Sequence, residues 1–356
     1  MYILFFFVTA ILAFFYFDNK HVKILFYLLL IILMIFSGTR TSGVSSDYEN
    51  YQTIFDLALS ENYTNFFLLT GTELGAFVLP NIAHLFFALN EDTICFTFVI
   101  FAFIGVITKL LVIRKSEYFF LAFMLYVSNL YWGQEMITIR AGVASGIFLL
   151  SIQDLVNKNN LRYFIKIVIA LFFHTSSVLF IVCWLIVRVK VTLKGLLIGL
   201  FISFIIAILK INILSLFLLD RVFPKVQIYL ESQDLSNGDQ VNVFNFMTIF
   251  AMIITCFFLY SIEKYKDIEQ FIILFKIHIL SLILFFALSP VNMVFSLRSF
   301  ELLSVIQLLL YPMIVKVFSQ KTKIIGFSVI IIFSFIQFYY FIFYSKLFND
   351  YSSWLF

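Results

Sequence analysis

Long apolar runs, separated by short polar stretches, recur from one end of the chain to the other. The clear runs are long enough to cross a bilayer and cover residues 2–17, 24–38, 93–113, 117–133, 135–157, 195–219, 243–262, 268–289, 294–317 and 324–345. Two further runs, 73–90 and 161–187, are interrupted near Pro80 and His174, so each is either a full crossing or a broken segment. The pattern predicts an all-α, polytopic integral membrane protein with about 10–12 transmembrane helices, in a single transmembrane domain over residues 1–356.

Composition supports this class of protein. A hydrophobic fraction of 63%, a charged fraction of 12% and a mean hydropathy of +1.05 exclude an ordinary soluble domain. The chain lacks a phosphate loop, a dinucleotide fingerprint and an H-E-x-x-H motif. We therefore expect no metal, no cofactor and no nucleic-acid partner.

The basic residues indicate which runs cross the membrane, because lysines and arginines in short loops mark its cytoplasmic side. Six clusters stand out: Lys20/Lys23, Lys109/Arg114/Lys115, Lys158/Arg162/Lys166, Arg188/Lys190/Lys194, Lys264/Lys266 and Lys316/Lys321/Lys323. All six lie inside together only if 73–90 does not complete a crossing and 161–187 turns back at its middle. The first outer (periplasmic) loop 39–72, a turn at Gly133, His174 and the second outer loop 220–242 then face outward.

The conspicuous ionisable residues lie in or just below that outer surface. They are Arg40, Asp47, Glu73, Glu135, Arg140, His174, Arg298 and Glu301. Charges within a membrane are costly and mark functional sites or mutual ion pairs. Arg140 is the most conspicuous, because small residues around it allow a helix or a ligand to approach. It either binds an anionic ligand or forms a structural salt bridge with Glu135 or with an acid on another helix.

Each other candidate has a structural alternative. Asp47 could pair with Arg40 or cap a short helix, and Glu73 could cap the helix that follows it. His174 could satisfy backbone groups freed at a helix break. Arg298 and Glu301 lie three residues apart and could satisfy each other.

Four stretches carry a resemblance to a known family. They are residues 38–51 (G-T-R-T-S-G-V-S-S-D-Y-E-N-Y), 72–75 (T-E-L-G), 137–144 (I-T-I-R-A-G-V-A) and 173–177 (F-H-T-S-S). In order and spacing they resemble the EpsG-like branch of the Wzy-type polymerases of O-antigen, capsule and exopolysaccharide. Ala141 stands where the family usually has Gln, Leu74 where Pro is common, and residues 44–46 lengthen the first motif.

The resemblance implies a fold like that of the GT-C membrane glycosyltransferases and a site facing the periplasm from the bacterial inner membrane. The implied reaction joins undecaprenyl-pyrophosphate-linked repeat units, one as donor and one as acceptor, with a chain-length regulator as a candidate partner. The implied catalytic residues are Asp47, Glu73 and His174, and those implied for binding pyrophosphate or glycan are Arg40, Tyr51 and Arg140. Arg298 and Glu301 are assigned to the same binding role from the predicted topology and not from the resemblance. An O-antigen ligase and a lipid-linked oligosaccharide flippase or transporter are the alternatives, because both also need many spans and buried charges.

Overall fold

The computed structural model describes residues 1–15, 22–213 and 242–355. These residues are predominantly helical and form no β-sheet, which confirms the all-α prediction. The chain divides into two compact units: unit 1 is Met1–Val178 with Tyr311–Phe356, and unit 2 is Leu179–Leu310. Apart from Asn242, the predicted outer loop 220–242 lies outside the described residues.

The described residues of unit 1 form nine α-helices in the first half of the chain and one near its end. These are α1 (Tyr2–Phe14), α2 (Val22–Gly38), α3 (Tyr48–Ser60), α4 (Tyr63–Thr70), α5 (Leu74–His84), α6 (Asn90–Ile113), α7 (Phe119–Leu125), α8 (Ile139–Val156), α9 (Asn160–Phe173) and α16 (Lys323–Tyr339). Two π-helices, Tyr126–Ile137 and Tyr340–Tyr344, extend α7 and α16. Two 3-10 helices, Thr175–Val178 and Tyr311–Val317, also belong to this unit.

Unit 2 contains six α-helices among its described residues. They are α10 (Leu179–Arg188), α11 (Leu193–Ile208), α12 (Phe246–Tyr260), α13 (Glu269–Leu288), α14 (Met293–Ser304) and α15 (Gln307–Leu310), with a 3-10 turn at Ile262–Lys264. The helix α13 packs against α10, α11, α12 and α14 and forms the centre of this unit.

Five described helical segments are long and apolar enough to cross a membrane. They are Asn90–Ile113, Ile139–Val156, Glu269–Leu288, Met293–Val317 and Lys323–Tyr344, and six shorter apolar helices of 10–17 residues accompany them. The chain is therefore a multi-pass membrane protein. The helix α5 has 11 residues, about 16 Å, and is much shorter than the roughly 30 Å hydrocarbon core. Its length supports the prediction that 73–90 does not complete a crossing.

Contacts within unit 1 define one end of its helices. Arg114 lies 5.1 Å from the ring of Phe26, whereas Gly38 packs against Val99, so α2 and α6 are antiparallel. The helices α8 and α9 are also antiparallel, because Lys166 pairs with Asp154 at one end and Glu73 joins the opposite ends. The ring of Phe101 contacts that of Phe173 at 6.2 Å, which brings the end of α9 level with Gly38. We call this the site end of unit 1.

The predicted outer loop 39–72 is largely helical and covers the site end through α3 and α4. The C-terminal segment 346–355 pairs with its first residues. Thr41 N donates to Ser352 O at 3.1 Å, and Trp354 N donates to Thr39 O at 3.0 Å. The loop and the C-terminal segment therefore lie on the same side, as the predicted topology requires.

Two details of the predicted topology are wrong. The chain does not turn at Gly133, because the π-helix continues to Ile137 and the break falls at Thr138. Trp132 Nε1 donates to Val127 O at 2.7 Å, which helps to hold this longer helix. Lys109 is not a cytoplasmic anchor either, because its side chain is 0% exposed and bonds within the protein.

Candidate functional site

The site end of unit 1 contains a cluster of charged residues centred on Glu73. This residue precedes α5, and its Oε2 accepts a hydrogen bond from the guanidinium of Arg140, in the first turn of α8. The two side chains are 6% and 14% exposed, so they form a largely buried ion pair. Arg140 thus pairs with an acid from another helix, which was one of the two structural alternatives, and not with Glu135.

The break after α9 brings a third element to the same carboxylate. Thr175 donates to Glu73 Oε1 through its backbone N–H at 2.8 Å and through its hydroxyl at 3.0 Å. His174, in an extended conformation at the end of α9, places Nδ1 3.3 Å from Glu73 Oε1. The predicted residues Glu73, Arg140 and His174, which are far apart in sequence, therefore form one cluster.

Glycine and tyrosine packing explain why these elements meet closely. A Cβ at Gly75 would come within 2.8 Å of Phe172 O, so α5 can begin against the end of α9 only because residue 75 has no side chain. Tyr51, on α3, places its ring 5.6 Å from the guanidinium carbon of Arg140. The predicted substrate-binding residue Tyr51 is thus part of the cluster, where it supports the arginine through a cation–π contact.

The contacts of Glu73 determine its protonation state. Burial would raise the pKa of this carboxyl, but the His174 ring, the Arg140 charge and the Thr175 N–H together hold the pKa well below its usual range. Both carboxylate oxygens already accept hydrogen bonds. Glu73 is consequently an ionised, occupied anchor and a poor proton acceptor.

Several polar atoms in and beside the cluster lack such partners. Arg140 Nε, His174 Nε2 and Ser177 Oγ are buried and have no hydrogen-bond partner among the described residues. His174 Nδ1 faces Glu73 at ion-pair distance without an aligned hydrogen bond. Unsatisfied buried donors and acceptors cost about 1–3 kcal/mol each, so their concentration at one place points to a ligand.

Arg40 lies near this cluster but is more deeply buried. It is 1% exposed, and its guanidinium donates to Ser37 O and to Ser45 Oγ. The rings of Tyr48 and Phe98 lie 5.5 and 4.9 Å from its guanidinium carbon. Burial lowers the pKa of Arg40 to about 10, so the group remains charged at neutral pH. These contacts anchor Arg40 to the first loop, while its Nη2 is buried without a hydrogen-bond partner among the described residues, so a role in binding substrate stays a prediction.

The other predicted site residues belong to other elements. Asp47 is half-buried at the start of α3, where its side chain makes no capping hydrogen bond. Arg298 and Glu301 lie on α14 in unit 2; Arg298 is exposed and Glu301 is half-buried. Sequence reasoning did not single out Thr175 and Ser177, although both belong to the F-H-T-S-S motif around His174.

Glu135, which was expected near the outer surface, belongs to a different ion pair. Its Oε1 lies 2.6 Å from Lys109 Nζ, and the two side chains are 1% and 0% exposed. Tyr126 OH donates to the same oxygen at 3.0 Å. Glu135 therefore forms an ion pair with Lys109 that is separate from the pair of Arg140 and Glu73.

The fold and the cluster together define a multi-pass, all-helical membrane protein with a charged, incompletely satisfied site at one end of its helices. The family model described as the EpsG family matches residues 23–354, and the chain belongs to that family. This confirms the resemblance found in the motifs and assigns the chain to the Wzy-like polymerases of surface polysaccharide biosynthesis. No curated protein and no solved structure gives a match to the chain.

Proposed function

We propose that the cluster of Glu73, Arg140 and His174 is the active site of a glycosyl transfer that joins lipid-linked repeat units on the periplasmic face of the inner membrane. The observation that carries this proposal is the set of unpartnered polar atoms, Arg140 Nε, His174 Nε2 and Ser177 Oγ, beside a saturated carboxylate. The family supplies the class of reaction, and these atoms supply the groups that such a reaction needs.

Arg140 is the group we assign to the leaving pyrophosphate of the donor. A guanidinium is a planar fork that matches phosphate oxygens and stays charged. Glu73 accepts a hydrogen bond from one terminal nitrogen, Nη1, whereas Nε has no partner among the described residues. The arginine can therefore bind a phosphate oxygen while Glu73 and the Tyr51 ring keep its orientation.

His174 is the group we assign to the acceptor hydroxyl. With Nδ1 facing the Glu73 carboxylate, the proton of a neutral ring is favoured on Nδ1, which leaves a lone pair on Nε2. Nε2 takes the hydroxyl proton while the hydroxyl oxygen bonds to the anomeric carbon of the donor sugar. The bond from that carbon to the phosphate oxygen breaks, and undecaprenyl pyrophosphate leaves.

Glu73 is thus an orienting residue in this scheme. Of the two carboxylates among the implied catalytic residues, Glu73 is less suitable as the base than Asp47, because its oxygens are engaged by Arg140 and Thr175. Asp47 stays a candidate for contact with the acceptor, since it begins the helix that carries Tyr51. The assignments of Arg298 and Glu301 to substrate stay proposals.

Arg140→Lys tests the proposal, because lysine keeps the charge but cannot reproduce the guanidinium fork. We expect polymer formation from purified lipid-linked repeat units to fall about 10- to 100-fold, as for loss of one charge-assisted contact. Arg162→Lys, at an exposed position of α9, is the matched control and should retain activity. Near-normal polymer formation by Arg140→Lys, at equal protein in the membranes, would remove Arg140 from the site.

A deletion experiment separates the polymerase from its rivals. Cells without the protein should display single repeat units at the surface. Absence of surface repeats with normal lipid intermediates would indicate a ligase, and accumulation on the cytoplasmic side would indicate a flippase.

A further inference from the structure

The buried pair of Lys109 and Glu135 makes a third contact that involves the helix of Arg140. Lys109 Nζ donates to Gly142 O at 2.7 Å, in addition to Glu135 Oε1 at 2.6 Å. Gly142 is two residues after Arg140, in the first turns of α8. A lysine from α6 therefore holds the beginning of α8 through its backbone.

Three glycines make this contact close and leave little room for adjustment. Added Cβ atoms would overlap with Glu135 Oε2 at Gly105, with Gln134 O at Gly142 and with Thr108 Oγ1 at Gly146. Ser145 Oγ also donates to Gln134 Oε1 at 2.7 Å. The first two turns of α8 thus pack closely against α6 and against the end of the π-helix.

Charge balance alone does not account for this arrangement. Moving two charges out of water costs several kcal/mol per ion, and well-packed apolar residues often replace a buried ion pair without loss of stability. An apolar side chain at position 109 cannot donate to a carbonyl of α8. What the lysine adds is a directed bond to the turn that carries Arg140.

We infer that Lys109, held in place by Glu135, is a positioning residue that fixes the orientation of Arg140 toward its ligand. Glu73 holds the guanidinium from one side, and Lys109 holds the backbone two residues further on from the other. The role in catalysis rests on the proposed function of Arg140. The positioning itself does not, because it concerns the geometry of α8.

The chain offers a matched control on the same helix. Lys166, from α9, bonds to the Asp154 carboxylate and donates to Leu150 O of α8 at 3.1 Å. Like Lys109, it thus combines an ion pair with a hydrogen bond to a backbone carbonyl of α8. Leu150 is ten residues after Arg140, so this bond does not involve the turn that carries the arginine. The test compares the double variant Lys109→Met with Glu135→Gln against the double variant Lys166→Met with Asp154→Asn. Both changes remove one ion pair and one lysine bond to α8.

Three measurements are made on the purified proteins: kcat and KM for polymer formation, thermal unfolding, and the rate at which phenylglyoxal modifies Arg140, followed by mass spectrometry. We expect the first double variant to lose kcat about 10- to 100-fold, with KM little changed, and to react several-fold faster at Arg140. The control should match wild type in kcat and in Arg140 modification. A more conservative variant, Lys109→Gln with Glu135→Gln, keeps a donor near Gly142 O and should recover most of both properties.

Unchanged modification of Arg140 in the first double variant would overturn the inference, as would equal losses of kcat in the two double variants. If the methionine variant does not fold, the glutamine variant decides: wild-type modification and kcat support a donated bond, and a loss equal to that of Arg140→Ala contradicts it. A failure of the proposed function is distinguished separately. Arg140→Lys would then be active, while the modification rate would still report whether Lys109 positions the arginine.

Discussion

Two ion pairs lie near the first turn of α8, and they differ in how completely their polar atoms are satisfied. In the pair of Lys109 and Glu135, the lysine bonds to the carboxylate and to Gly142 O, and the carboxylate also accepts from Tyr126. In the pair of Arg140 and Glu73, the acid is saturated, but Arg140 Nε has no partner among the described residues. We call Lys109 with Glu135 the closed pair and Arg140 with Glu73 the open pair. The closed pair can only stabilise the fold, whereas the open pair can also bind a ligand.

The largest expected effect concerns His174, beside the open pair. His174→Asn removes the proposed base, and general-base catalysis typically supplies about a hundred- to ten-thousand-fold. We expect turnover in the reconstituted polymer assay to fall by that factor, with the protein still inserted. His84→Asn, at an exposed position of α5, is the control. A loss of less than tenfold for His174→Asn would show that His174 is not the base.

The next effect concerns stability and the closed pair. Lys109→Met alone leaves the Glu135 carboxylate buried without its cation, which costs about 3–5 kcal/mol when one partner of a buried pair is removed. We expect a large fall in melting temperature or failure to accumulate in membranes. Arg140→Met should cost less, because Thr175 continues to donate to Glu73. Equal losses for the two variants would show that the pairs do not differ as the structure indicates.

A smaller effect is expected from the charge of Glu73. Its folded-state pKa lies below the ordinary carboxyl value, so its stabilising contribution is present above that value and is lost as the pH falls through the folded-state pKa. Glu73→Gln should therefore unfold about 1.5–3 kcal/mol more easily than wild type at pH 7. The difference should stay constant between pH 6 and 8 and shrink in strong acid. A difference that changes around neutral pH would assign the titration to another group.

The smallest effect is expected for the third ion pair of α8. The Lys166 and Asp154 side chains are 32% and 12% exposed, so solvent screens this pair more than the other two and it contributes less to stability. Lys166→Ala should therefore change the melting temperature only slightly and leave polymer formation intact. A fall in melting temperature as large as that for Lys109→Met would show that solvent exposure does not determine how much each ion pair contributes to stability.

Sequence reasoning located much of the site because each residue stood out locally. Arg140 and His174 are ionisable residues in apolar surroundings, and Glu73 lies beside a run interrupted by Pro80. The reasoning did not identify the partner of Arg140, because Glu73 is 67 positions away and nothing in the sequence relates the two. It also gave Lys109 to a cytoplasmic cluster, because sequence proximity to Arg114 cannot show that its side chain points into the protein.

The apolar pattern by itself determined that this is an all-helical, multi-pass membrane protein, since a bilayer admits only segments whose backbone groups are satisfied internally. The ordered motifs indicated the family, and the family match over residues 23–354 confirmed it. The tertiary structure alone decided which charges meet, that the helix continues past Gly133 to Ile137, and that the segment 346–355 pairs with residues 39–44. These features depend on close packing between distant elements. Gly75 and Gly142 are necessary for that packing, but the sequence does not show which element packs against each glycine.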